Sequence, residues 1–212
     1  MALSEQAQVA LGVGCGNSGV GVEIAKALNM TKDTGNVGAA NGATVSATEY
    51  TDASGIFHKT VLTLTATPIA VVDGTEYQGV KVYDFPEGAI SILGAIASLS
   101  PITTSTLSST LNANSTLAIS LGTAVASNVT LSSTMANVIA SFAGTSSGTI
   151  NVAHASAPFK SALTVPAGID GTGTAADLYL NFSVPTTTDV DGNATTTWTG
   201  TITIFWAYIG DA

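Results

Sequence analysis

Apolar and polar positions alternate along much of the chain beyond residue 55, the two-residue period of a strand with one buried face. In the stretch 60–65, Leu62 and Leu64 fall on one side and Thr63 and Thr65 on the other. Pro68 interrupts that run and marks an edge, a bend or an end. Asp73-Gly74 is a turn signal, and a second strand is expected over 80–85, stopped by Pro86-Glu87-Gly88. Residues 89–99 predict a longer strand with a bulge at Gly94, ended by Pro101. Ser132-Ser133-Thr134 before Met135 predicts one helical turn with a hydroxyl cap, and 149–153 a short strand. Near the C-terminus Leu178, Leu180, Phe182 and Val184 alternate with Tyr179, Asn181 and Ser183. Trp198, Gly200, Ile202, Ile204, Trp206 and Tyr208 then share a face opposite Thr199, Thr201 and Thr203, and the two runs read as a hairpin turning at Asp191-Gly192-Asn193.

About eight to ten strands with regular turn signals predict an all-β antiparallel sandwich, jelly-roll-like, over residues 55–212. Residues 1–54 read differently. They are rich in Gly and Ala, and Val20, Ile24, Ala27 and Leu28 repeat at spacings of four, seven and eight, one face of a short helix. With residues 35–44 read as loop, this segment is expected to be an N-terminal arm. The apolar face of its helix is a candidate interface.

Charge changes the picture most. Of the 212 residues 9% are charged and 45% hydrophobic, against about 25% charged in an ordinary soluble domain. There is no arginine, and five lysines against fourteen acids give a formal net charge of −9. Hydroxyls can be covered by a neighbour if they find a hydrogen-bond partner, whereas ions are costly to cover unpaired. The composition therefore suits a chain in lasting contact with other chains. Nucleic acid and anionic membranes are unsuited as partners, because both are bound through Lys and Arg. The longest mostly apolar stretch, 89–99, is short of the roughly 20 residues that span a bilayer. The start, Met1-Ala2-Leu3-Ser4-Glu5-Gln6, lacks the basic opening of a signal peptide, so synthesis without export is expected.

Catalytic motifs fail on context. Gly14-Cys15-Gly16-Asn17-Ser18-Gly19 fits GxGxxG but lacks the βαβ surroundings and the acid about 20 residues on. Gly144-Thr145-Ser146-Ser147-Gly148 fits GxSxG, yet no acid stands between Ser146 and His154. His58 and His154 have no second ligand at metal spacing, and Cys15 has no neighbouring cation to activate it. The acid pairs Asp73/Glu76, Asp84/Glu87 and Asp189/Asp191 lie at predicted turns, where carboxylates face water. No catalytic residue, metal or cofactor is expected. Trp198 and Trp206 lie on the apolar parity and read as core. Five Asn-x-Ser/Thr triplets (Asn29, Asn114, Asn128, Asn181, Asn193) are expected by chance in so Ser- and Thr-rich a chain.

Two stretches resemble virion structural proteins of tailed bacteriophages, of the capsid decoration or cement type. One is His58-Lys59-Thr60-Val61-Leu62-Thr63-Leu64 with Gly79-Val80-Lys81-Val82-Tyr83-Asp84-Phe85-Pro86-Glu87-Gly88 and Ile92-Leu93-Gly94-Ala95. The other is Asp177-Leu178-Tyr179-Leu180-Asn181-Phe182 with Gly200-Thr201-Ile202-Thr203-Ile204 and Ile209-Gly210-Asp211. Together they cover about a third of the chain. The resemblance implies a homotrimer bound to the major capsid protein on the outer surface of the head. An acidic chain without arginine agrees with a place away from packaged DNA. The alternatives are a tail or fibre module that binds host glycans, and a minor coat or tail-tube component.

Overall fold

The computed structural model describes residues 31–33, 38–52, 54–102, 116–145, 159–160, 167–184 and 192–210. Twelve strands occur among them: β1 (Thr31–Asp33), β2 (Ala39–Ala40), β3 (Val45–Thr51), β4 (Phe57–Val71), β5 (Tyr77–Asp84), β6 (Gly88–Ile102), β7 (Thr116–Gly122), β8 (Ile139–Thr145), β9 (Phe159–Lys160), β10 (Ala167–Gly171), β11 (Asp177–Ser183) and β12 (Ala194–Gly210). They form two antiparallel sheets. The larger runs β1-β3-β4-β12-β6-β10, with β9 also on β6, and the smaller runs β2-β5-β11-β7-β8. The sheets face each other across one core, an all-β sandwich.

The pairings are nested. β4 pairs with β12, β5 with β11, β6 with β10 and β7 with β8, and successive pairs alternate between the sheets. The chain thus behaves as one long hairpin wound around the core. It also overturns one expectation: β11 and β12 lie in opposite sheets and are no hairpin. Their apolar parities are as the sequence predicts, since Leu178, Leu180, Phe182, Val184, Trp198, Ile202, Ile204 and Trp206 are all buried. Alternation reveals which face of a strand turns inward but not which sheet the strand joins.

Bulges set the details of the larger sheet. β4 runs through Pro68, beyond Leu64 where β3 ceases to pair, so the missing N–H falls on a strand with one free side. Between Trp198 and Gly200 the register slips, Ala66 takes φ +53°, and its N–H is met by Thr199 Oγ1 at 3.2 Å. Gly200 has φ +138°, and a Cβ there would stand 2.1 Å from the Ser98 carbonyl oxygen, so the bend depends on glycine. The bulge expected at Gly94 is present, but Leu93 is the extra residue: Phe205 pairs with Gly94 and Trp206 with Ile92.

Within the expected arm, β1, β2 and β3 are members of the sheets. The candidate interface Val20, Ile24, Ala27 and Leu28, and the strand expected at 149–153, lie outside the described residues. The helical turn near Met135 is a 3-10 turn, Ser133–Met135, and Ser132 caps it with no side-chain hydrogen bond.

Candidate functional site

Three places bring polar chemistry together. The first is inside the sandwich. Glu49 on β3 and Thr60 on β4 are paired across the strands and buried, and Thr60 Oγ1 donates to Glu49 Oε2 at 2.7 Å. Trp206 Nε1 donates to Thr60 Oγ1 at 2.8 Å, and Tyr83 OH reaches across from the other sheet to donate to Glu49 Oε1. His58 stacks on the Trp206 ring at 4.0 Å and 9°. Burial and then the neighbouring Glu49 charge raise the Tyr83 phenol well above its ordinary value. Glu49 is 3% exposed and His58 6%, so this network joins the sheets and offers no substrate a way in.

The second is on the surface of the smaller sheet. Lys81 Nζ lies 2.8 Å from Asp84 and 3.5 Å from Asp177, whose other oxygen accepts from Tyr179 OH at 2.8 Å. The hydrogen bond to Asp84 holds the ammonium above its usual range. Burial pushes the Asp177 carboxyl up, but hydrogen bonds from its neighbours and the Lys81 charge outweigh that and hold it low. The third is a clasp between turns. Asp73 N–H donates to Asn193 Oδ1 at 2.8 Å, and Gly192 N–H donates to Asp73 Oδ1 at 3.1 Å. Among the described residues no three His, Cys, Asp or Glu are grouped to hold a metal ion. None of their helices is long and apolar enough to cross a membrane. Cys15, His154, Ser146, Asp189 and Asp191 lie outside the described residues.

The two outer sheet faces differ, and this difference defines the candidate site. The smaller sheet is lidded by residues 123–138. Asn181, fully buried on β11, donates to Ala124 O at 2.9 Å and Met135 O at 2.8 Å and accepts from Ala126 N–H at 2.8 Å. Ala126, Leu131 and Met135 of the lid form a small apolar cluster with Ala118 of β7. Gly122 permits its close approach, because a Cβ there would meet the Thr134 carbonyl oxygen at 2.2 Å.

Among the described residues no segment covers the outer face of the larger sheet. Its outward positions on β3, β4, β6 and β12 form cross-strand rows such as Ser46–Thr63–Thr201–Ser98 and Thr48–Val61–Thr203–Ile96. Among the described side chains of these four strands, the outward face carries one charge, Lys59, whose ammonium sits 5.1 Å from the Tyr50 ring centroid. The hydroxyl rows give way towards one end to Phe57, Leu93, Ile96 and Ile209, each between 44% and 66% exposed. The outward threonines of β4 and β12 were legible from alternation. Leu93 and Ile209 were not, because each is the additional residue of a bulge, which resets parity. The lid was missed too. Its one sequence signal is an asparagine, Asn181, between Leu180 and Phe182 in the middle of a strand.

Comparison of the chain with protein-family models, with curated proteins and with solved structures finds no match. The triplet at Asn181 is excluded as a glycan acceptor by its complete burial. Both tryptophans are fully buried, which removes them as a sugar-stacking platform.

Proposed function

We propose that this chain is a structural protein of a tailed-phage virion, a cement or decoration subunit that binds the major capsid protein on the outside of the head. The supporting observation is the asymmetry of the sandwich: one outer face is lidded, and the other is broad, rich in hydroxyls and carries a single charge among the described side chains of its strands β3, β4, β6 and β12. Such a face can be covered by protein at little desolvation cost. The free surface of a soluble monomer is ordinarily far richer in ions.

The nested strand order supports the finer reading of the fold as a jelly roll. In that arrangement the first of eight strands pairs with the last, the second with the seventh and so inward, which β4–β12, β5–β11, β6–β10 and β7–β8 follow. Jelly rolls build viral coats among other things, so the fold agrees with the role without implying it. Assembly as a homotrimer is what the resemblance implies, and the place on the outer head surface that it also implies agrees with the acidic, arginine-free composition.

The test is retention on shells. The double variant Thr201→Glu, Thr203→Glu puts two carboxylates on the open face without touching the core. It should fold with an unchanged circular-dichroism spectrum and leave the heads it normally decorates. Full occupancy of heads by this folded variant would overturn the reading.

A further inference from the structure

One end of the open face is built differently from the rest. At the end of β12 the register with β6 slips between Tyr208 and Gly210, leaving Ile209 as the extra residue, 66% exposed. Beside it is an open depression of about 300 Å³ between β6 and β10, lined by Ala89, Ser91, Gly168, Ile169 and Asp170. On the other flank Tyr208 N–H donates to Ile56 O at 2.8 Å, which brings the 52–57 turn alongside. That turn exposes Ile56 and Phe57, at 46% and 47%. The apolar surface spans β4, β12, β6 and β10, about 14 Å at the usual strand spacing.

Acids rim it. Asp170 lies in the depression, and Glu87 precedes Gly88, which pairs with Gly171. Asp52 caps the opposite turn, accepting from Ile56 N–H and Phe57 N–H at 3.1 Å and from Ser54 Oγ at 2.6 Å. The Ser54 hydroxyl above all holds the Asp52 carboxyl low, and the Thr172 hydroxyl does the same for Asp170, so both stay ionised at neutral pH. Of the lysines whose side chains are described, Lys59 is turned onto Tyr50 and Lys81 is paired with Asp84 on the other sheet. A second copy meeting this end with the same end of its own would bring carboxylates against carboxylates.

We propose that this apolar end, rimmed by Asp52, Glu87 and Asp170, docks a lysine- or arginine-bearing surface of a different protein chain, with an apolar side chain of that partner seated beside Ile209. This deepens, and rests on, the virion reading above by giving the partner's chemistry: an apolar anchor within a basic rim. Apolar anchors supply most of the affinity at such interfaces, while rim charges supply steering and exclude wrong partners.

The test has two arms. In the first, the full isotope-labelled chain is titrated with a 12-residue peptide of alternating Lys and Leu, and with its Glu–Leu counterpart. The Lys peptide should shift the amide resonances of Ile56, Ile209 and residues 168–170, and the Glu peptide should not. Ile209→Asp should weaken that binding about tenfold, as loss of a central anchor does. Asp52→Asn with Asp170→Asn should weaken it severalfold and flatten its salt dependence. Equal binding of the two peptides, or binding indifferent to these variants, would overturn the inference, as would self-association through this end in sedimentation. In the second arm, carbodiimide coupling on intact virions should join Asp52, Glu87 or Asp170 to a lysine of another protein. Coupling only between copies of this chain would also overturn it. If the peptide arm succeeds and the chain is absent from virions, the virion reading falls and the docking chemistry stands. If the chain is on virions and the peptide arm fails, the reverse holds.

Discussion

Trp198 and Trp206 are both fully buried on β12, yet their indole N–H groups fare differently. Trp206 Nε1 donates to Thr60 Oγ1, which itself holds Glu49, and the ring carries His58 on its face. Trp198 packs edge-on to Phe182, 6.1 Å between centroids, and its Nε1 has no hydrogen-bond partner among the described residues. Phenylalanine should therefore cost more at 206 than at 198. Both lose volume, but only Trp206→Phe breaks a bonded chain, and the difference should be about 1–2 kcal/mol in urea unfolding. Equal losses would mean that the Glu49–Thr60–Trp206 chain contributes no stability. Tyr83 makes a second prediction. Its phenol is raised in the folded state and ordinary, near 10, when unfolded, so its contribution is complete below about pH 10. Above that pH the unfolded chain releases a proton that the folded chain keeps, and stability falls by up to about 1.4 kcal/mol per pH unit. Tyr83→Phe should remove that share of the alkaline slope. Unfolding curves between pH 8 and 11.5 with the same slope in both proteins would contradict the burial of a neutral phenol.

At the scale of elements, Asn181 makes three of the hydrogen bonds that hold the lid over the smaller sheet, beside Ser120 Oγ, which donates to Met135 O at 2.7 Å. Asn181→Ala should remove all three of its hydrogen bonds, strand the Ala126 N–H and cost about 2–4 kcal/mol. Limited proteolysis should then cut first within 123–138, and a variant no more sensitive there than the wild type would show that the lid holds itself. Strand faces were legible in the sequence wherever alternation was unbroken, as at Leu178–Phe182 and Ile202–Trp206. Strand partners were not. β11 and β12 adjoin in sequence and lie in different sheets, because β12 is placed by its pairing with β4 and β11 by its pairing with β5, long-range contacts that no local pattern encodes. Bulges hid the apolar end for a related reason: a single inserted residue, Leu93 or Ile209, turns outward a side chain that simple parity leaves unassigned.

For the molecule as a whole, the scarcity of ions acquires a location. Of the described acids Glu49 is buried in the core and the others sit at turns and strand ends, while the described outward side chains of β3, β4, β6 and β12 carry one charge, Lys59. A lidded face, a face that no described segment covers and an acid-rimmed apolar end give the sandwich a polarity that suits a subunit laid on a larger surface. Its acidic character suits the side of a shell away from nucleic acid. The most direct test is a cryo-electron-microscopy map of the intact particle at a resolution that separates the two sheets. The account predicts density for this chain on the outside of the head, with the open face of the seven-stranded sheet against the capsid shell and the lidded sheet towards solvent. Density inside the shell, in the tail, or with the lidded sheet against the capsid would contradict it.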